Sequence, residues 1–132
     1  MMQAIRKLLG PNTLKYGGIV YTSIITFLLL FPFTHMPKVD MPSFDKIGHV
    51  LIFVLLVLIW LLFDLLRTTS GRLRGFRILI FAFIYGIVIE VLQGMFFVSR
   101  TADVWDVVAN TTGILLGWIV FNRVKKVFIP KN

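Results

Sequence analysis

The stretch IGHVLIFVLLVLIWLLFDLL, residues 47–66, decides the fold. Only His49 and Asp64 in it can carry a charge. A helix on the surface of a soluble protein would show a polar face at every turn, and this one shows none. About 20 apolar residues are what a helix needs to cross the hydrocarbon core of a bilayer. The segment therefore reads as a membrane span.

Three further segments have the same character, at about 16–33, 76–97 and 104–121. The punctuation between them agrees. Pro32, Pro37 and Pro42 follow the first, Ser70-Gly71 and Gly75 separate the second from the third, and Ser99-Arg100-Thr101 precedes the fourth. Short polar connections predict antiparallel neighbours. The first run follows Arg6, Lys7 and Lys15, as a signal peptide would. Its length and the lack of a small-residue cleavage site read it as a retained span. The expected architecture is an all-α, four-transmembrane-helix bundle forming a single domain over residues 1–132.

Composition says the same. Of 132 residues, 58% are hydrophobic and 15% charged. Soluble domains average about 45–50% and about 25%. The chain has no cysteine, which excludes disulfides, thiolate metal sites and cysteine nucleophiles.

The formal net charge of +8 would point to nucleic acid in a soluble protein, so the position of the charge matters. Arg6, Lys7 and Lys15 precede the first span. Arg67, Arg72, Arg74 and Arg77 lie between the second and third, and Arg123, Lys125, Lys126 and Lys131 follow the fourth. One side thus carries 11 of the 14 basic residues, leaving Lys38, Lys46 and Arg100 for the other. Basic loops are retained in the cytoplasm, so both termini are expected there. The charge is then a topology signal, with some attraction to anionic headgroups, and no nucleic-acid partner is expected.

Polar residues inside the spans need a reason, because a charge at the bilayer centre costs about 2.5–3.5 kcal/mol on insertion scales. Glu90 and Gln93 are three apart on one helical face. Asp103, Asp106, Asn110, Gly113 and Gly117 recur at steps of three and four, which makes one stripe down the fourth helix. Its lower part is a Gly-x-x-x-Gly that admits a close helix neighbour. Asp45 and His49 share a face at the start of the second span, beside Lys46. All of these fall in the outer half under the expected orientation, with Glu90 about 10 Å below the helix end.

The ordered set Asp45-Lys46-x-x-His49, Glu90-x-x-Gln93 and Arg100-x-x-Asp103-x-x-Asp106-x-x-x-Asn110-x-x-Gly113-x-x-x-Gly117 resembles the VanZ-like membrane proteins, over about residues 44–117. The resemblance implies a multi-pass protein of the bacterial cytoplasmic membrane and a link to teicoplanin resistance. It supplies no established reaction.

Each polar group has two readings. Glu90 with Gln93 is either a helix-tying clamp or a functional pair. Arg100, Asp103 and Asp106 are either an interfacial ion-pair set or a headgroup site, with Arg100 and Lys46 recognising an anion and the aspartates acting as bases or metal ligands. His49 is either a general base or a helix-start histidine bonded to Asp45. Asn110 is either a packing amide or a substrate contact. Gly113 and Gly117 read as packing residues, and Asp64 as snorkelling to the inner interface near Arg67. His35 falls in a wet loop. Trp105 suits the outer aromatic belt, Trp60 and Trp118 suit lipid-facing or inner-belt positions, and the phenylalanines read as lipid-facing bulk.

The expected site therefore has His49, Glu90, Asp103 and Asp106 as acid–base groups. Lys46, Gln93, Arg100 and Asn110 are its binding groups, and Asp45, Gly113 and Gly117 support it. No cofactor is identified, though a divalent metal would suit the carboxylates. The expected ligand is an anionic lipid or a lipid-linked envelope precursor. The contrasting expectation is a non-catalytic accessory protein that binds a lipid or a partner helix, alone or as an oligomer. A carrier role fits least, because the polar residues stop halfway across.

Overall fold

The computed structural model describes residues 8–31, 42–67, 72–96 and 102–128. These form four long helices: α1 (Pro11–Leu30), α2 (Pro42–Arg67), α3 (Arg72–Phe96) and α4 (Val104–Phe128). No strand occurs among the described residues. Each helix is long and apolar enough to cross a membrane. Arg100, Lys38 and His35 lie outside the described residues, as do the breaks at Pro32, Pro37, Ser70-Gly71 and Ser99–Thr101.

Every helix overruns its apolar run at one end or both. α1 begins at Pro11 rather than near residue 16 and stops at Leu30 rather than 33. α2 starts five residues early, and α4 continues seven residues past 121. The reason is that apolar content marks the hydrocarbon slab, whereas a helix continues until its backbone is capped. Pro11 sits in the first turn, where its missing N–H is no loss, and the Leu14 amide donates to the Gly10 carbonyl at 3.0 Å.

The helices alternate in direction, which makes α2 and α4 parallel, and these two pack most closely. Gly113 and Gly117 allow it. A Cβ on Gly113 would lie 2.5 Å from the Val50 carbonyl oxygen, and one on Gly117 would lie 3.0 Å from that of Val54. Backbone meets backbone here because van der Waals packing, rather than a hydrophobic drive, holds helices together in lipid.

Phe53, Val57 and Leu61 on α2 are almost wholly buried and form the core with Ile25, Ile114 and Phe121. Phe53 and Phe121 therefore depart from the expectation of lipid-facing phenylalanine: α2 is the central helix, and the side chain of Phe53 fills the space under the polar cluster. Phe44, Phe76, Phe81 and Trp105 do face outward. Trp60 is half-buried against α1. Its ring packs on Gly18, and its indole N–H donates to Thr22 Oγ1 of α1 at 3.2 Å.

Candidate functional site

The start of α2, the end of α3 and the start of α4 meet at one end of the bundle. His49, Glu90, Gln93, Asp106 and Asn110 are all buried there, between 2% and 9% exposed. Above them Asp45 is exposed, and Lys46 and Asp103 are half-exposed. The result is a cluster of buried polar side chains under three more exposed ones, called the polar well below, with the exposed residues its rim and the buried ones its floor. Glu90 lies six residues before the end of α3, about 9 Å along the axis. The basic residues Arg67, Arg74, Arg77, Arg123, Lys125 and Lys126 sit at the far end of the same helices.

At the rim, Lys46 bridges two carboxylates. Its ammonium donates to Asp103 Oδ2 and Asp106 Oδ1, both at 2.9 Å. Asp103 also caps α4, since its Oδ1 accepts the Trp105 amide N–H at 2.9 Å. Both of its oxygens are thus engaged. The Lys46 ammonium, and then the Trp105 N–H, hold the Asp103 carboxyl below the usual carboxylate range. Asp106 follows in the first turn of α4, where the helix dipole favours negative charge.

At the floor, His49 Nδ1 lies 2.9 Å from Asn110 Oδ1. An amide oxygen only accepts, so Nδ1 is the donor in this contact, and in the neutral ring Nε2 then has the lone pair. His49 is thus oriented from α4 and not by Asp45 one turn earlier. Glu90 Oε1 stands 4.0 Å from the same Nδ1. Glu90 Oε1 and Asn110 Nδ2 are buried without hydrogen-bond partners. Such groups are rare, because each forfeits about 1–3 kcal/mol of hydration. Gln93 has a different task. Its Nε2 donates to the Leu29 carbonyl at 2.6 Å, which ties α3 to the last turn of α1.

Sequence reasoning missed a second polar set in mid-membrane. Tyr21 donates to the Ile52 carbonyl at 2.9 Å, and Tyr85 bonds Thr26 at 2.8 Å. Thr26 gives its own proton to the Thr22 carbonyl, so Tyr85 is the donor. The readable signal was Gly18-x-x-x-Thr22-x-x-x-Thr26, a small-residue stripe down α1. Beside it, Leu56, Trp60, Ile78, Phe81 and Tyr85 help line an apolar cavity of about 260 Å³.

The chemistry open to the well follows from its donors. Asp45, His49 and Asp106 each present a ligand atom, and these atoms lie within 4.8 Å of one another. His49, Glu90 and Asp106 are its groups able to move a proton. Fold and site together define a multi-pass membrane bundle with a buried polar well at one end. The VanZ/LLP1 family model matches residues 9–126, so the chain belongs to the VanZ/LLP1 family. No curated protein and no solved structure matches it.

Proposed function

We propose that the well binds the headgroup of an anionic lipid or a lipid-linked envelope precursor at the outer face of the bacterial cytoplasmic membrane. One observation carries this reading. Four buried polar side chains from three helices, His49, Glu90, Asp106 and Asn110, converge on one spot, and two of their atoms, Glu90 Oε1 and Asn110 Nδ2, have no partner among the described residues. Burial of this kind is costly in lipid, and intramembrane ionisable groups of this sort usually serve function. The far end of the bundle carries the basic residues, which supports an outward-facing well. The apolar cavity supports an amphipathic ligand. Tyr85 on its wall is five residues, about 7.5 Å, deeper than Glu90. A role in glycopeptide tolerance follows if the ligand is a lipid-linked wall precursor.

The non-catalytic reading also has an observation behind it. Lys46, Asp103 and Gln93 are each engaged in contacts between or within helices. Those three residues then hold the well in shape, and His49, Glu90, Asp106 and Asn110 face the ligand.

Native mass spectrometry of protein purified in mild detergent tests the proposal. The wild type should retain a phosphate-bearing lipid. Asn110→Leu, at unchanged melting temperature, should lower its occupancy about tenfold, equivalent to 1.4 kcal/mol. Equal retention by the two proteins contradicts the proposal.

A further inference from the structure

The rim and floor of the well are unbalanced in charge. Asp45, Glu90, Asp103 and Asp106 face one ammonium, that of Lys46, among the described residues. Lys46 reaches only Asp103 and Asp106. Glu90 and Asp106 are the buried ones, Lys46 reaches Asp106 alone of these two, and a buried carboxylate without a cation favours a further one nearby. The four carboxylates also make a poor receptor for an anion as they stand.

We propose that Asp45, His49 and Asp106 hold a divalent transition-metal ion of the zinc or manganese type. Their ligand atoms lie within 4.8 Å of one another. Donors at about 2.0–2.2 Å from a shared ion stand up to about 4.4 Å apart, so small side-chain movements close the site. One imidazole with carboxylates suits zinc or manganese better than calcium or magnesium, which prefer oxygen alone.

A second observation points the same way. A metal-bound histidine hands its other ring N–H to an oriented acceptor. His49 is placed to do this: its Nδ1 lies 2.9 Å from Asn110 Oδ1, and a neutral ring that donates there has its Nε2 lone pair for an ion. Behind the ring, Glu90 Oε1 is unpartnered, its side chain 5% exposed, and it faces Nδ1 at 4.0 Å. A buried carboxylate thus stands near the ring nitrogen that Asn110 holds, beyond hydrogen-bond distance of it. Lys46 does not block the site, because it takes one oxygen of Asp106 and a carboxylate has two. Asp45 is exposed, which gives the ion a way in from water.

The inference rests on the headgroup proposal and deepens it. The ion would turn an acidic well into one that accepts a phosphate, with Lys46 beside it. The ion's own contribution would be to polarise a bound phosphoryl oxygen.

The test starts from the full chain stripped with EDTA in detergent and dialysed against Zn²⁺ or Mn²⁺ alone. The structure predicts one ion per chain. His49→Ala and Asp106→Asn should weaken binding about a hundredfold, which is about 2.7 kcal/mol, while Thr112→Ala on the exposed face of α4 leaves it unchanged. X-ray absorption at the metal edge of wild-type protein, which needs no variant, should show a single imidazole nitrogen among oxygens. Substoichiometric binding, binding indifferent to both variants, or an all-oxygen shell overturns the inference. Lipid occupancy measured on the same stripped and loaded samples separates the two proposals. Lipid retained by protein that binds no ion refutes the metal and leaves the headgroup site. Ion bound with no lipid under either condition refutes the headgroup site and leaves the metal.

Discussion

A single missing methyl group decides the closest packing in this protein. Gly113 stands so near Val50 that a Cβ would meet the carbonyl oxygen at 2.5 Å. Gly113→Ala should therefore push α2 and α4 apart and destabilise the bundle by about 1–3 kcal/mol, read as a lower unfolding midpoint in detergent. Gly17→Ala is the contrasting case, because nothing lies within 4 Å of its Cβ. It should be neutral or stabilising by up to about 1 kcal/mol, since alanine is the better helix former. Asp103 makes a second residue-scale prediction. Lys46 and the Trp105 N–H keep its carboxyl ionised more readily folded than unfolded. Such a group stabilises above the ordinary aspartate range, and its contribution fades as pH falls through the lowered folded value. Wild-type melting temperature should thus fall on acidification below the ordinary aspartate range. Asp103→Asn keeps the cap but loses the ion pair, so it should melt lower at neutral pH and fall less steeply in acid. Parallel curves for the two proteins would contradict this account of Asp103.

At the scale of the helix, Gln93 fastens α3 to the final turn of α1 through the Leu29 carbonyl. Gln93→Leu should cost about 1–2 kcal/mol and speed hydrogen exchange at 27–31, leaving the core of α2 protected. How much of this was legible differs by kind of signal. The four helices were readable because membrane solvent imposes uninterrupted apolar runs, and 47–66 is such a run. The stripe from Asp103 to Gly117 was readable because its spacing is helical and needs no partner to be seen. What lay hidden was pairing across helices. Nothing in the order of residues says that His49 bonds Asn110, 61 positions away, rather than Asp45 beside it. The two tasks of Asp103 were hidden for the same reason, since a cap is local but an ion pair is not. Phe53 was misjudged because apolar bulk looks alike whether it meets lipid or core; only the central place of α2 tells them apart.

The whole molecule is polarised along its axis. Basic side chains gather at one end, and the polar well lies at the other. Everything proposed for the well requires that it face out of the cell, where a headgroup, its ion and water can reach Asp45. The chain has no cysteine, so single-cysteine labelling reads this without background. Phe44→Cys marks the well end and Lys126→Cys the basic end, and both native residues are exposed. With a membrane-impermeant maleimide on intact cells, the cysteine at 44 should label at once and the cysteine at 126 only after permeabilisation. The reverse pattern would place the well in the cytoplasm and contradict the account.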